Sequence, residues 1–535
     1  MRALKDSSLA KYIRGVKALP SGIFNWHLFV TCISFALAGC PKGWDEGSAA
    51  SITELSSFKR EYGLDAKTNK AIISNLVSVV NIGAGVGAFL SFFLNDRIGR
   101  LWSARVYQIV YAVGSLIYCF SYGNHAVLYV GRIVAGLGIG ACTVVGPMAI
   151  AEMAPKPIRG LMTLWFNIAM LSGQTIGIFT VYGSNIHISP AKNLQYQVPW
   201  FVQPFAPAIA IVLSFFAVES PRWLTIRVRP QEALEALVTL RGLPADHPYL
   251  QEEFVEISSH IDDENGQFGK GGYLSIMKET FCVRSNLRRV QLTIIAYILA
   301  QFSGANSVTN YLPTVFTLIG VTGTDVKVYS TGLYAVAKLV CCVIASLVFV
   351  DVLGRRKSLM LGITIQGMCH AYLSGYLKYF TKDPESVPKG ASDAAIGIIY
   401  IHAFGWAVGL YTFPYLFGAE LWPNRIRSFG GALSQCFHWL FCFAITKATP
   451  SIISSMDVWG AFLFFVAWCI IAFVYTLFFV PETSNLSLDE MDAIFDRPMY
   501  KMRHSTNGSG SGTDIEHMTK ESMEKHHDME HVEGR

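Results

Sequence analysis

The chain has 535 residues, 52% of them hydrophobic and only 15% charged, and its mean hydropathy is positive at +0.37. That is far more apolar surface than one water-soluble core of this length uses, so the composition places the chain in lipid. The net charge of +5 is spread over short breaks between apolar runs, which reports membrane topology and excludes a nucleic-acid partner.

Residues 1–22 lack the apolar core and small-residue cleavage site of a signal peptide, so they read as a cytoplasmic N-terminus before an uncleaved first span. Apolar runs of about 20 residues, enough to cross a bilayer, can be placed at 26–46, 71–95, 102–122, 125–150, 160–183, 199–219, 289–319, 328–350, 358–380, 394–418, 428–450 and 457–480. An even number of spans puts both termini on one side. The breaks carrying Arg97, Arg100 and Arg105, then Lys156 and Arg159, then Arg355, Arg356 and Lys357, then Arg425 and Arg427 are rich in cations. The positive-inside rule makes those breaks, and both termini, cytoplasmic. Between spans six and seven, Pro230–Arg241 and Leu250–Glu264 combine helical spacing with alternating charge, which predicts cytosolic linker helices across 220–288. Gly266–Gly272 reads as a flexible turn. The predicted organisation is therefore an N-terminal six-helix bundle over 23–219, the linker, a C-terminal six-helix bundle over 289–480, and a cytoplasmic tail over 481–535. The polar composition of that tail predicts disorder, and its His526, His527 and His531 read as solvated rather than metal-binding. Most of the eleven cysteines lie in apolar spans and read as reduced packing residues.

Two motifs occur twice. Asp96-Arg97-Ile98-Gly99-Arg100 returns as Asp351-Val352-Leu353-Gly354-Arg355-Arg356, and Glu152-x-x-Pro155-x-x-Ile158-Arg159 returns as Glu420-x-x-Pro423-x-x-Ile426-Arg427. Offsets of 255 and 268 residues are about half the chain, as expected of a membrane transporter built by duplication. The predicted fold class is an all-α membrane protein, with twelve transmembrane helices in two six-helix pseudo-repeats. Gly83, Gly85 and Gly87, and Gly136, Gly138 and Gly140, imitate nucleotide-binding turns but lie inside apolar runs with no preceding strand. They read as notches where helix backbones approach closely. No Gly-x-x-x-x-Gly-Lys-Ser/Thr string occurs, so uphill transport would draw on an ion gradient, with no cofactor or metal. No nucleophile–base constellation suggests an enzyme.

At this point the residues resemble the sugar porter family of the major facilitator superfamily over nearly the whole chain. The matching strings are Gly43-Trp44-Asp45, Asp96 to Arg100, Tyr129-Val130-Gly131-Arg132, Glu152 to Gly160, Gly173-Gln174, Glu219-Ser220-Pro221-Arg222, Gln301 to Asn306, Asp351 to Arg356, Glu420 to Arg427, Trp439 and Pro481-Glu482-Thr483. The overall character is similar to fungal members. The resemblance implies alternating access, with Asp45 as the proton site and Arg132 competing with the proton for its carboxylate. The charged helix ends, namely Asp96, Arg97, Arg100, Glu152, Arg159, Glu219, Arg222, Asp351, Arg355, Arg356, Glu420 and Arg427, would form clasps that hold the two halves together as a gate.

By the same resemblance, Asn167, Gln174, Gln301, Asn306, Tyr311, Tyr415 and Trp439 occupy substrate positions, a polyol-binding inventory. Departures from the family pattern matter more. Asn167 stands where a Gln is usual, Ala300 replaces the first Gln of a Gln-Gln pair, and Tyr415 replaces a common Trp. Lys42 takes the place of an aromatic, and His438 that of an amide. Lys42 lies about one helical turn from Asp45, so it either pairs with Asp45 or Glu46, or holds the carboxylate of an anionic substrate with help from His438. The expectation is a monomeric proton-coupled symporter in the plasma membrane for a sugar acid such as galacturonate, or a related polyhydroxy acid such as quinate. The alternatives are a neutral hexose or pentose carrier or facilitator, and a non-transporting sugar sensor. Lys338 and Lys447 match no family position and stay unassigned.

Overall fold

A computed structural model of the chain describes residues 8–64, 69–268, 272–349, 353–411, 421–482 and 495. All regular structure among them is helical. The first half holds α1 (Ser8–Ala18), α2 (Trp26–Ala36), α3 (Cys40–Ile52), α4 (Ser56–Glu61), α5 (Asn69–Ile98), α6 (Arg100–Cys119), α7 (His125–Met153), α8 (Arg159–His187), α9 (Leu194–Val202) and α10 (Phe205–Ser214). The linker carries α11 (Pro221–Ile226), α12 (Pro230–Arg241), α13 (Pro248–Phe268) and α14 (Tyr273–Cys282). The second half holds α15 (Arg284–Phe302), α16 (Ala305–Asn310), α17 (Leu312–Leu318), α18 (Thr324–Ile344), α19 (Arg355–Phe380), α20 (Lys389–Trp406), α21 (Arg427–Ser455) and α22 (Trp459–Phe479).

Among the described residues, eight helical stretches are long and apolar enough to cross a membrane: Ala71–Ile98, His125–Met153, Lys156–His187, Leu194–Ser214, Thr324–Val348, Lys389–Tyr411, Arg427–Ser455 and Trp459–Phe479. The other four expected spans are helical too, but each is broken or polar. Lys42, Asp45 and Glu46 interrupt the α2–α3 run, Arg100 and Arg105 sit in α6, Gly304 breaks the run from α15 to α17, and α19 begins with three cations. Lipid-facing character shows on the outer surfaces. Ile82, Val86, Leu90 and Leu94 of α5 recur every four residues and are all exposed, as are Leu463, Ile470, Val474 and Phe478 of α22. Four-residue spacing puts such side chains on one helix face, where only an apolar solvent suits them.

Small residues decide how closely the helices approach. A Cβ on Gly83 would sit 2.2 Å from the Ile133 carbonyl oxygen, and one on Gly140 would sit 1.8 Å from that of Ala84, so α5 and α7 touch backbone to backbone. Gly43 does the same for α3 against α8, where a Cβ would come within 1.7 Å of the Met170 carbonyl. Gly304 has φ +88° and faces the Phe465 ring at 2.5 Å from a would-be Cβ, so only glycine fits the break between α15 and α16.

The linker helices dock rather than dangle. Leu237 and Leu240 of α12 join the core beneath α2 and α7, and buried Arg241 donates to Glu253 at 2.8 and 2.6 Å and to the Met153 carbonyl at 2.8 Å. Helix α13 runs through Gly266 to Phe268, where the sequence predicted a flexible turn. One interior glycine costs about 1 kcal/mol relative to alanine, which a 21-residue helix tolerates. All eleven cysteines are free.

Helices α5 and α21, and α8 and α18, pack across the molecule and join the two halves. They close it at both ends. Near Arg100, Phe92 meets Phe429 at 5.0 Å and Tyr273 at 5.3 Å between ring centroids. At the opposite end, Ser74 donates to the Lys447 carbonyl at 3.1 Å, the Lys447 ammonium bonds Asn75, and Asn185 donates to Asp325 at 2.5 Å.

Candidate substrate and proton site

Between these closures lies a small central cavity, walled by Lys42 and Glu46 of α3, Met170 of α8, Tyr297, Ala300 and Gln301 of α15, Asn306 of α16, His438 of α21, and Trp406, Leu410 and Tyr411. Broken helices put these groups there. The α15–α16 break at Gly304 turns Gln301 and Asn306 inward, and a single π-helical turn at Ala407–Tyr411 rotates Tyr411 onto Trp406, ring centroids 4.1 Å apart.

Lys42 is 3% exposed, its Nζ 3.3 Å from His438 Nε2 and 4.8 Å from the Trp439 ring centroid. An ammonium only donates, so Nε2 of a neutral His438 accepts and its proton sits on Nδ1. His438 Nδ1 is 3.1 Å from the Gln301 side-chain amide, which in turn lies 2.5 Å from that of Asn306. The Nδ1 proton therefore needs the Gln301 oxygen, which leaves the Gln301 amide nitrogen for the Asn306 oxygen; both amide orientations follow from the network. The result is a directed relay from Lys42 through His438 and Gln301 to Asn306.

A second small cavity is lined by Asp45, Glu46, Ala49, Val77, Val80, Asn81, Asn310 and Cys442. Here Arg132 Nη1 bonds the Asp45 carboxylate, and its Nε donates to the Leu76 carbonyl at 2.9 Å. Both side chains are buried, and Arg132 Nη2 makes no hydrogen bond. Asp45 bonds Arg132 and not Lys42, although the two lie on one helix a turn apart. The reason is position: Lys42 faces α21 across the first cavity, while Asp45 faces α7.

Other sequence-predicted substrate residues sit further out. Trp439 packs on the far side of Lys42 and points its Nε1 to Thr143 at 3.4 Å. Asn167 reaches the cavity wall through Tyr411, whose hydroxyl donates to its Oδ1 at 2.9 Å. Gln174 is buried with an unbonded Oε1, and the Tyr311 hydroxyl is taken by the Thr446 carbonyl at 2.9 Å. Neither lines the cavity. Tyr415, Asp351 and Glu420 lie outside the described residues. Sequence reasoning missed Tyr297, Trp406 and Tyr411 as wall residues, and Lys338, which is buried with its Nζ 4.1 Å from the Trp406 ring centroid. An isolated lysine in an apolar span was the available signal.

The charged helix end at Arg100 is a compact cluster. Arg100 donates to both oxygens of Glu152 at 2.9 Å and to Asp96 at 3.2 Å, Ser220 donates to Glu152 at 2.5 Å, and Glu219 accepts from the backbone N–H groups of Arg100, Leu101 and Ser220. Burial pushes the Glu219 carboxyl up, and the three N–H groups work against that. Asp96, Arg100, Glu152 and Glu219 thus hold one another, all within the first half, rather than fastening one half to the other. Arg97 stands over the Tyr273 ring at 5.9 Å, and Arg159 is exposed at the start of α8. Arg222 lies in α11, beside the cluster. On the second half, the backbone N–H groups of Arg355 and Arg356 donate to Glu482 at 3.0 and 3.2 Å, and Arg427 donates to the Trp422 carbonyl at 3.3 Å. Among the described residues, Phe92 and Phe429 meet across the halves at this end.

A polar cavity at the centre of a helical membrane protein, with a buried ion pair beside it, is what a multi-pass membrane transporter requires. The chain belongs to the Sugar (and other) transporter family, whose profile matches residues 31–495. It is 29% identical over 492 residues to a probable quinate permease of Neosartorya fischeri, covering 90% of each chain, and 28% identical over 493 residues to the quinate permease of Emericella nidulans, covering 91% of this chain and 92% of that one. The fold matches the proton:xylose symporter XylE bound to 6-bromo-6-deoxy-D-glucose, with a TM-score of 0.72 at 21% identity over 88% of this chain and 99% of the other. It also matches a partially occluded inward-open form of XylE from E. coli, with a TM-score of 0.71 at 20% identity over 87% and 100% of the two chains.

Proposed function

We propose that this protein is a proton-coupled symporter for a polyhydroxy carboxylate of the quinate kind, working by alternating access through twelve spans, with the Arg100 end cytoplasmic. The observation that carries the reading is Lys42: a buried ammonium set in the wall of a central cavity whose lining also includes two amides, a histidine and three aromatic rings. Amides and a relay of hydrogen bonds suit hydroxyl groups, aromatic faces suit a ring, and the ammonium supplies the charge-assisted bond that a carboxylate needs.

Asp45 is the proton site in this reading. Protonation removes its charge and frees Arg132, and the loss of that bond biases the two bundles between orientations. The closures at both ends support an occluded intermediate. Opening one side parts the rings of Phe92, Phe429 and Tyr273, and opening the other parts Lys447 from Asn75. The quinate permeases among the relatives and the proton:xylose symporter among the structural neighbours fit this assignment. Uptake of labelled quinate, galacturonate, glucose and xylose by a transporter-free host at pH 5 and pH 7 tests it. The expected result is saturable quinate uptake, stronger at pH 5 and abolished by a protonophore. Good transport of glucose or xylose with quinate ignored would refute it.

A further inference from the structure

We propose that Lys338 of α18 is a second anion-binding group of the substrate site, and that it holds the substrate's carboxylate together with Lys42 of α3. Its unmet hydrogen-bonding capacity carries the argument. Six lysine and arginine side chains are buried among the described residues: Lys42, Arg100, Arg132, Arg241, Arg289 and Lys338. Five of them are hydrogen-bonded to another side chain, Lys42 to His438, Arg100 to Glu152, Arg132 to Asp45, Arg241 to Glu253 and Arg289 to Asn286. Lys338 makes no hydrogen bond and no ion pair among the described residues, although it is only 1% exposed. An ammonium carries three donors, and leaving all of them unmet inside a membrane protein is costly unless a ligand meets them.

Lys338 also stands at the site. Its Nζ lies 4.1 Å from the ring centroid of Trp406, a wall residue of the central cavity, and the charges of Glu46 and Lys42, two further wall residues, act on it. Contact with the face of an aromatic ring steadies the ammonium and leaves N–H groups for an acceptor. The polar groups nearby do not take those donors. His402 of α20 has its Nδ1 3.5 Å from the Tyr334 hydroxyl and its Nε2 3.3 Å from the Gln366 amide, and Glu46 forms no ion pair with Lys338. A carboxylate has two oxygens and accepts from two donors at once. Helix α3 lies in the first half and α18 in the second, so a carboxylate that engages both ammonium groups ties the halves together around the substrate. A neutral sugar carries no charge with which to do so, which makes Lys338 a specificity-determining residue.

This inference rests on the reading that the substrate is an anion, and the experiment separates the two. Isothermal titration calorimetry on the purified protein in detergent compares quinate with its methyl ester, which keeps the ring and its hydroxyls but carries no charge. Wild type should bind quinate more tightly than the ester. Lys338→Met should cut that preference by about tenfold or more, the scale of a lost charge-assisted hydrogen bond. Damage to packing alone would weaken both ligands alike and leave the preference where it was. Lys338→Gln, neutral but still polar, should show the same loss and keeps the test decisive if the methionine variant does not fold, whereas Lys338→Arg, which keeps the charge, should keep most of the preference. A preference unchanged in the neutral variants would overturn the role of Lys338, and the anionic substrate would still stand on the wild-type preference. Equal affinities in wild type, or no binding of quinate, would overturn both.

Discussion

Replacing Lys42 with methionine keeps most of the apolar stem and removes the ammonium, both its charge and its hydrogen-bond donors, so it tests the interaction that selects a carboxylate. In the empty protein the change breaks the 3.3 Å bond to His438 Nε2 and the contact with Trp439. That bond joins one charged and one neutral group inside the protein, and its loss leaves His438 bonded through Gln301. In the bound state, a carboxylate about 4 Å from an ammonium at an effective dielectric near 20 is attracted by about 4 kcal/mol. Desolvation returns part of this, and measured charge-assisted hydrogen bonds net about 1.5–3 kcal/mol. The affinity for quinate should fall by roughly 10- to 150-fold, since about 1.4 kcal/mol is one decade. A neutral sugar loses only an ordinary hydrogen bond, worth about 0.5–1.5 kcal/mol, and should stay within about tenfold. Titration of tryptophan fluorescence in purified protein reads both constants, because Trp406 lines the cavity and Trp439 packs on Lys42. A change of less than threefold for quinate, or an equal loss for xylose, would show that Lys42 is a packing residue and that selection for an anion lies elsewhere.

Four further outcomes follow from the geometry. Asp45→Asn should abolish accumulation against a gradient while preserving exchange, because the amide imitates the protonated acid; vesicles loaded with unlabelled substrate distinguish the two, and normal uphill transport would remove Asp45 as the proton site. Glu152→Gln strips the bidentate charged partner from buried Arg100, so unfolding should be easier by about 3 kcal/mol, visible as a lower melting temperature with substrate affinity little changed. An unaltered melting temperature with a shift toward inward-facing labelling would instead favour a clasp between the halves. Lys447→Met should loosen the end opposite Arg100 and increase labelling of cysteines introduced near Asn75 from that side, and labelling equal to wild type would deny that Lys447 helps close it. Gly43→Ala should prevent correct assembly, since its Cβ would lie 1.7 Å from the Met170 carbonyl oxygen; normal yield and melting temperature would contradict the close approach of α3 and α8.

Composition, the repeated motifs and the spacing of apolar runs were enough to read the class of fold, the linker helices and the glycine notches, because each is a property of chain segments measured along the chain. Helix period and span length are local, and lipid imposes them one segment at a time. Gln301 and Asn306 entered as candidate site residues through the family resemblance, and Lys42 and His438 as departures from its pattern, Lys42 the more so because a lysine inside an apolar span is costly. What the sequence left open was direction and partnership. Lys42 and Asp45 share a helix and lie a turn apart, and only the placement of α3 in the assembled bundle, packed chiefly on α8, sends one to His438 of α21 and the other to Arg132 of α7. The charged motifs of the first half were expected to clasp the opposite half, and the fold of α6 against α7 gave Arg100 to Glu152. Trp406 and Tyr411 gave no sign in the sequence because a π-helical turn brings them together, and Lys338 stood out only as an unassigned lysine in an apolar span. Those choices depend on which surfaces meet, and surfaces meet only when the whole bundle has closed.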